Sequence, residues 1–308
     1  GDYYMKEPVY DILIKNTRIL TEDMKIRTGV DVAVKDGIIA SICDSGSHVP
    51  AEADQTVDGS RLLWMPGLTD GHMHTCQQLL RGKILDALPM IWTRIMLPFE
   101  STLTPEAVSL SAALCSLEMI RGGTTAFLDA GGIHMDQAAE VYIKSGLRGA
   151  LTLSTMDDTK VPDSMRADAA ESISRLNEYY DTWNGSGDGR LSVCYSLRSL
   201  ISCSEELIRG VFEAADERSA MVEAHMNEYP NEINYHLERY QIRPVEYLDS
   251  LGVLSERFVS AHSILLSEHE IELMAAHGVK AVHCPFSNCG KGVPNTPRLL
   301  ESGISVAF

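Results

Sequence analysis

The residues best suited to chemistry are histidines. His72 and His74 close the stretch Leu68-Thr69-Asp70-Gly71-His72-Met73-His74. In an extended strand alternate side chains share a side, so imidazoles two residues apart can hold one cation. Taken alone, His-x-His also describes two solvated histidines in a loop. Three more apolar segments run into histidine: Val222-Glu223-Ala224-His225, Val259-Ser260-Ala261-His262 and Val282-His283. With ten histidines in the chain, four strand ends presenting one is well above scatter, and the set predicts a metal centre. Neutral imidazoles suit one divalent ion, zinc first and iron as its rival. None of the first strands obviously adds a carboxylate ligand.

Such histidines can meet if their strands run parallel and present their C-terminal ends to one face. Residues up to about 65 read instead as a small β-module, with alternating strands at Tyr10 to Asn16, Val30 to Lys35 and Ile38 to Ile42 and an Asp36-Gly37 hairpin signal. From Pro66 onward, short apolar segments alternate with helical periodicity, the pattern of repeated βα units. Strand candidates are Gly67 to Asp70, Thr124 to Asp129, Gly149 to Ser154, Leu191 to Ser196, Ala220 to His225, Phe258 to His262, Val279 to Cys284 and Ile304 to Phe308. Helical patterns lie at Pro105 to Arg121, Asp136 to Ser145, Asp168 to Trp183, Ser204 to Arg218, Ser267 to His277 and Thr296 to Ser302. Eight strands predict an α/β fold, a (β/α)8 TIM barrel over 66–308, whose working residues sit at the C-terminal strand ends.

The chain has 308 residues, with 26 basic against 43 acidic side chains, a net charge of −17. That field disfavours nucleic acid or an anionic membrane as partner and leaves a small molecule as the expected one. The seven cysteines include no Cys-x-x-Cys pair, which predicts reduced thiols and a cytoplasmic protein. The segment Gly1–Lys6 has no apolar core, so no signal peptide is expected, and no apolar run approaches the ~20 residues of a membrane span.

Pro66-Gly67-Leu68-Thr69-Asp70-Gly71-His72-Met73-His74 resembles the opening of the amidohydrolase superfamily barrel. His225-Met226-Asn227-Glu228, Ser260-Ala261-His262 and His283-Cys284-Pro285-Phe286-Ser287-Asn288 resemble its aromatic-amine deaminase and chlorohydrolase branch, which includes S-adenosylhomocysteine and 5-methylthioadenosine deaminases. The resemblance spans nearly the whole chain, with residues 1–65 similar to the N-terminal part of the family's composite β-sandwich. It implies that His72, His74 and His225 bind the metal, that His262 orients substrate or water, and that Glu228 shuttles protons. The plain alternative for Glu228 is a solvated loop carboxylate. The implied reaction is metal-assisted hydrolysis, in which hydroxide attacks the amino-bearing carbon of a heteroaromatic ring and ammonia leaves. Chloride or an alkylamine as leaving group, and an inactive metal-binding fragment, are the alternative readings. A homo-oligomer is compatible with the family, though no stretch marks an interface.

For substrate contacts, the segment Leu88-Pro89-Met90-Ile91-Trp92 and the following Leu97-Pro98-Phe99-Glu100 resemble adenosine-type deaminases, where the glutamate reaches ribose hydroxyls. Glu100 is therefore a candidate contact, or else a carboxylate ahead of the Thr104 helix start. Trp92 walls the pocket or simply fills the barrel mouth. Where those enzymes carry a histidine in a Pro-His-Ser turn, this chain has Tyr195-Ser196-Leu197-Arg198-Ser199. Arg198 can donate two bonds to a substrate carbonyl or carboxylate, or be an ordinary surface arginine, which leaves oxidised purines, pterins and triazines open. The family also places a metal-binding aspartate just after strand eight, in a Gly-Thr-Asp context, and this sequence ends at Ser305-Val306-Ala307-Phe308. The barrel is therefore expected to be truncated in or after strand eight, and residues 1–308 to bind metal poorly and turn over slowly. Equal activity of 1–308 and a chain extended past Phe308 would refute that expectation.

Overall fold

Alternating apolar residues and an Asp-Gly turn build the first unit of the chain. The computed structural model describes residues 10–47, 52–84 and 91–308; the Gly1–Lys6 segment and Leu88-Pro89-Met90 lie outside the described residues. Two units result, 1–67 and 68–308. The first is one five-stranded sheet of β1 (Tyr10–Leu20), β2 (Ile26–Lys35), β3 (Ile38–Asp44), β4 (Ala53–Asp58) and β5 (Leu63–Trp64). Strand order is β3-β2-β1-β4, with β5 also on β1; the first three strands pair antiparallel, and β4 and β5 run parallel to β1. Asp36 and Gly37 turn the hairpin with φ of 50° and 72°, as a tight hairpin turn requires. Among the described residues its buried side chains are the apolar Leu13, Val30, Val32 and Ala33 and the polar Thr17.

The second unit is a run of parallel strands separated by helices. Strands β6 (Leu68–Met73), β7 (Thr124–Asp129), β8 (Arg148–Leu151) and β9 (Leu191–Val193) form one sheet in that order. Strands β10 (Tyr195–Ser199), β11 (Val222–Met226), β12 (Phe258–His262), β13 (Lys280–Val282) and β14 (Val306–Ala307) form the next. Every residue of β10, β11 and β12 is buried, as expected for parallel strands covered on both faces. Outward-facing Tyr195, Leu197, Val222, Ala224, Met226 and Phe258 pack against the helices Glu205–Glu217, Pro244–Ser250 and Glu268–His277. Caps explain where helices begin: the side chains of Thr104, Asp168, Ser204 and Ser267 each accept a backbone N–H three residues on. Among the described residues, no single helix is long and apolar enough to cross a membrane.

The predicted strand Leu191 to Ser196 is interrupted at Cys194. There the backbone changes neighbours: Cys194 N–H donates to the Leu151 carbonyl at 2.9 Å, and Tyr195 N–H donates to Met221 at 2.8 Å. Two helices between β11 and β12, Pro230–Tyr240 and Pro244–Ser250, have no counterpart in the sequence reading. The first is mostly polar and starts on proline without a Ser or Thr cap, and it buries Glu232 and His236 alongside Ile233, so its inner face does not look apolar.

Gly71 sits immediately before His72. Its N–H donates to the Phe308 carbonyl at 2.7 Å, and a Cβ there would lie 2.9 Å from Ala307 Cβ and 3.0 Å from Val282 Cγ1. Gly71→Val is expected to overpack this contact and lower stability by about 1–3 kcal/mol. Urea unfolding checks it; an unchanged midpoint would show that the approach of these segments is not tight.

Candidate metal centre

Strand alternation in β6 and β11 and the strand end at β12 deliver four imidazoles to one place. His72, His74 and His225 offer ring nitrogens that all lie within 4.8 Å of one another. Ring centroids are 4.9 Å apart for His72 and His74, 4.7 Å for His72 and His225, and 5.0 Å for His74 and His225, with His262 at 5.2 Å from His72. His74 Nε2 and His225 Nε2 face each other at 2.9 Å. Burial drives the pKa of His74 and of His225 well below the ordinary range, with nearby charged groups adding to the effect, so both rings are neutral. Both ring nitrogens of His72 and Nδ1 of His74 and of His225 are buried without a conventional hydrogen-bond partner. Buried polar atoms are rarely left so, and neutral imidazoles converging on one point suit a divalent ion. A second convergent set is His72, His262 and Cys284, whose thiol burial pushes up to about 12.

Glu228 and His262 lie beside this cluster. Glu228 Oε1 is 3.5 Å from His262 Nε2 and accepts a hydrogen bond from Lys291 Nζ. Burial raises the Glu228 carboxyl, but nearby positive charge, chiefly Lys291 because the His262 ring is itself held neutral, outweighs it and holds it below the usual range, as an ionised group. His262 is pushed down to about 4, chiefly by burial. Asn288 fixes its ring, with Oδ1 at 2.8 Å from Nδ1 and Nδ2 donating to the His262 carbonyl at 3.3 Å. Nδ1 therefore donates to the amide oxygen, and Nε2 faces Glu228 as an acceptor. His283 does not join the ring cluster; its Nδ1 pairs with Asn288 Nδ2 at 2.9 Å. The backbone is left-handed at Asn227, His262 and Ser263, with φ of 51°, 72° and 50°. Such conformations cost energy in non-glycine residues and concentrate at functional sites.

The two candidate substrate contacts Glu100 and Arg198 meet each other. Arg198 Nη1 and Nη2 bond Glu100 Oε2 and Oε1 at 3.0 and 2.9 Å, and Gln77 Nε2 donates to the same carboxylate at 2.7 Å. Both side chains are fully enclosed, so Arg198 is not a surface arginine. Trp92 is partly buried and packs against Leu97, Met156, Val161 and Met165, an apolar cluster.

Several side chains that organise the site carried no role in the sequence reading. Asp129, at the end of β7, accepts from Thr75 N–H and its hydroxyl and from Gly131 N–H at 2.8 Å, which anchors the backbone next to His74. Glu232 Oε2 accepts the Glu228 N–H at 3.0 Å, and burial raises its carboxyl to about 8. Glu223 touches His72. Only Glu223 had a signal to find, since it sits two residues before His225 and alternation puts it on the same side. Asn288, at the end of the short helix Pro285–Asn288, and Lys291 just after it arrive from a segment that spacing could not locate.

A buried bidentate pair is most costly when one partner is removed. Arg198→Met is expected to lower stability by about 3–5 kcal/mol, with Arg198→Met/Glu100→Gln recovering part of that loss. Guanidinium unfolding of the single and double variants measures it; additive losses would mean that the pair is not coupled.

A family model described as the amidohydrolase family matches residues 63–308. The chain is 35% identical over 308 residues to a 5'-deoxyadenosine deaminase of Methanothermobacter thermautotrophicus, covering 96% of this chain and 68% of the relative. It is 32% identical to 5-methylthioadenosine/S-adenosylhomocysteine deaminase 2 of Archaeoglobus fulgidus, covering 93% and 69%. Among solved structures, an adenosine deaminase from Xanthomonas campestris with bound zinc superposes with a TM-score of 0.89 at 28% identity, covering 98% of this chain and 69% of that one. With that match, the α/β architecture is that of a metal-dependent hydrolase, and the chain belongs to the amidohydrolase family.

Proposed function

We propose that the chain is a metal-dependent hydrolytic deaminase acting on the amino group of a purine-nucleoside-like substrate. The observation that carries this is the convergence of His72, His74 and His225 with Glu228 and His262 at their side. His72, His74 and His225 would hold one divalent ion. When bound, such an ion supplies Lewis acidity and lowers the pKa of water to about 7. The relatives named for 5'-deoxyadenosine, 5-methylthioadenosine and S-adenosylhomocysteine support a 6-aminopurine nucleoside as substrate class.

The remaining work falls to protein side chains. His262, held through Nδ1 by Asn288, presents Nε2 as an acceptor and orients the attacking water. Glu228, kept ionised by its pairing with Lys291, collects a proton from that water and hands it to the ring nitrogen beside the amino-bearing carbon. A second proton transfer through the same carboxylate lets the amino group leave as ammonia. Arg198 and Glu100 lock each other, so as substrate contacts they act as one rigid unit, the carboxylate toward ribose hydroxyls and the guanidinium toward a ring carbonyl or other acceptor. Trp92 lines the pocket wall from its apolar cluster.

Zinc is the preferred ion, supported by three nitrogen donors and by the zinc-bound Xanthomonas campestris relative. The same reading treats the two parallel sheets as one closed (β/α)8 barrel. Its supports are the change of neighbours at Cys194 and the bond from Gly71 to Phe308. Residues 1–65 are then one part of a β-sandwich and 66–308 the barrel. Seven free cysteines support a cytoplasmic location.

Glu228→Gln is expected to retain metal while kcat falls by roughly 10²–10⁴-fold. Ammonia release from 5'-deoxyadenosine, 5-methylthioadenosine and S-adenosylhomocysteine measures it. Turnover unaltered by the substitution, or no ammonia from any 6-aminopurine nucleoside, would sink the proposal.

A further inference from the structure

Glu223 is fully buried in β11, two residues before His225, and its Oε1 lies 2.7 Å from His72 Nδ1. Neither carboxylate oxygen and neither nitrogen of His72 has any other hydrogen-bond partner among the described residues. Among the described residues, His72 is the only ion-pair partner recorded for this carboxylate. A charge enclosed in this way is expensive unless something close by compensates it.

We propose that Glu223 is a positioning residue for the metal centre. Its carboxylate accepts the Nδ1 proton of His72, which leaves the lone pair on Nε2 for the cation. Two consequences follow from the chemistry of imidazole. The ring is held in one tautomer and one orientation, and an acceptor on Nδ1 makes Nε2 a stronger donor to a metal. The carboxylate also places one negative charge beside a cation held by imidazoles, so ion and carboxylate offset each other's burial. The inference rests on the reading of His72 as a metal ligand.

Zinc affinity, measured by competition with a chromogenic chelator on the full chain, tests it. Glu223→Ala is expected to weaken zinc about 10–100-fold, and the isosteric Glu223→Gln, which keeps an acceptor oxygen, by less. In the zinc-loaded wild type, the nitrogen-15 spectrum of ring-labelled histidine should show a hydrogen-bonded Nδ1 proton, identified as that of His72 by its loss in His72→Ala. Circular dichroism of the metal-free variants checks that they fold, and the Gln variant carries the comparison if the Ala variant does not. Wild-type zinc affinity in a folded Glu223 variant, or a His72 proton on Nε2, overturns the proposal while leaving the site intact. Zinc affinity unaffected by His74→Ala and His225→Ala would overturn the site itself, and the role of Glu223 with it.

Discussion

Four imidazoles gathered at the ends of β6, β11 and β12, largely withdrawn from water, form the arrangement on which the rest of this molecule depends. Centroid separations of 4.7 to 5.4 Å leave no room for solvent between the rings. Burial keeps the rings of His74, His225 and His262 neutral, because a protonated ring there would lose hydration and face other positive groups. Neutral rings have lone pairs to give, whereas a cluster of protonated ones would repel both each other and a cation. The low dielectric that makes unsatisfied nitrogens costly also makes a bound ion effective.

Around that cluster, charge is arranged in enclosed pairs: Glu228 with Lys291, Glu100 with Arg198, and Glu223 against His72. Exposed ion pairs elsewhere, such as Lys25 with Asp23, are screened by water and do not shape the site. The enclosed pairs differ because removing one member strands the other without water. They gain rigidity at some cost in stability, and a centre that must hold groups within fractions of an ångström benefits from that exchange. The backbone shares in it, with left-handed residues at the ends of β11 and β12 held by surrounding hydrogen bonds.

Much of the scaffold was legible because parallel strands and amphipathic helices write themselves into local patterns. Strands at Thr124–Asp129 and Phe258–His262 fall where the apolar runs place them, and the caps at Thr104, Ser204 and Ser267 open the helices they signal. The helix Pro230–Tyr240 was not legible, because its buried face includes Glu232 and His236, which a hydropathy reading sends to solvent. The break at Cys194 was not legible either. Nothing in Leu191 to Ser196 marks the residue at which the backbone exchanges one partner strand for another.

By itself the sequence determined which residues could do chemistry and on which side of their strands they point, since alternation and spacing are local properties of the chain. His72 with His74, and Glu223 with His225, are consequences of a two-residue period alone. Only the tertiary structure decided which groups meet: that Glu100 closes on Arg198, that Lys291 reaches Glu228, and that Asn288 turns the ring of His262. Those contacts join residues 26 to 98 positions apart in the chain. Their geometry is set by the packing of whole strands and loops, which no local pattern encodes.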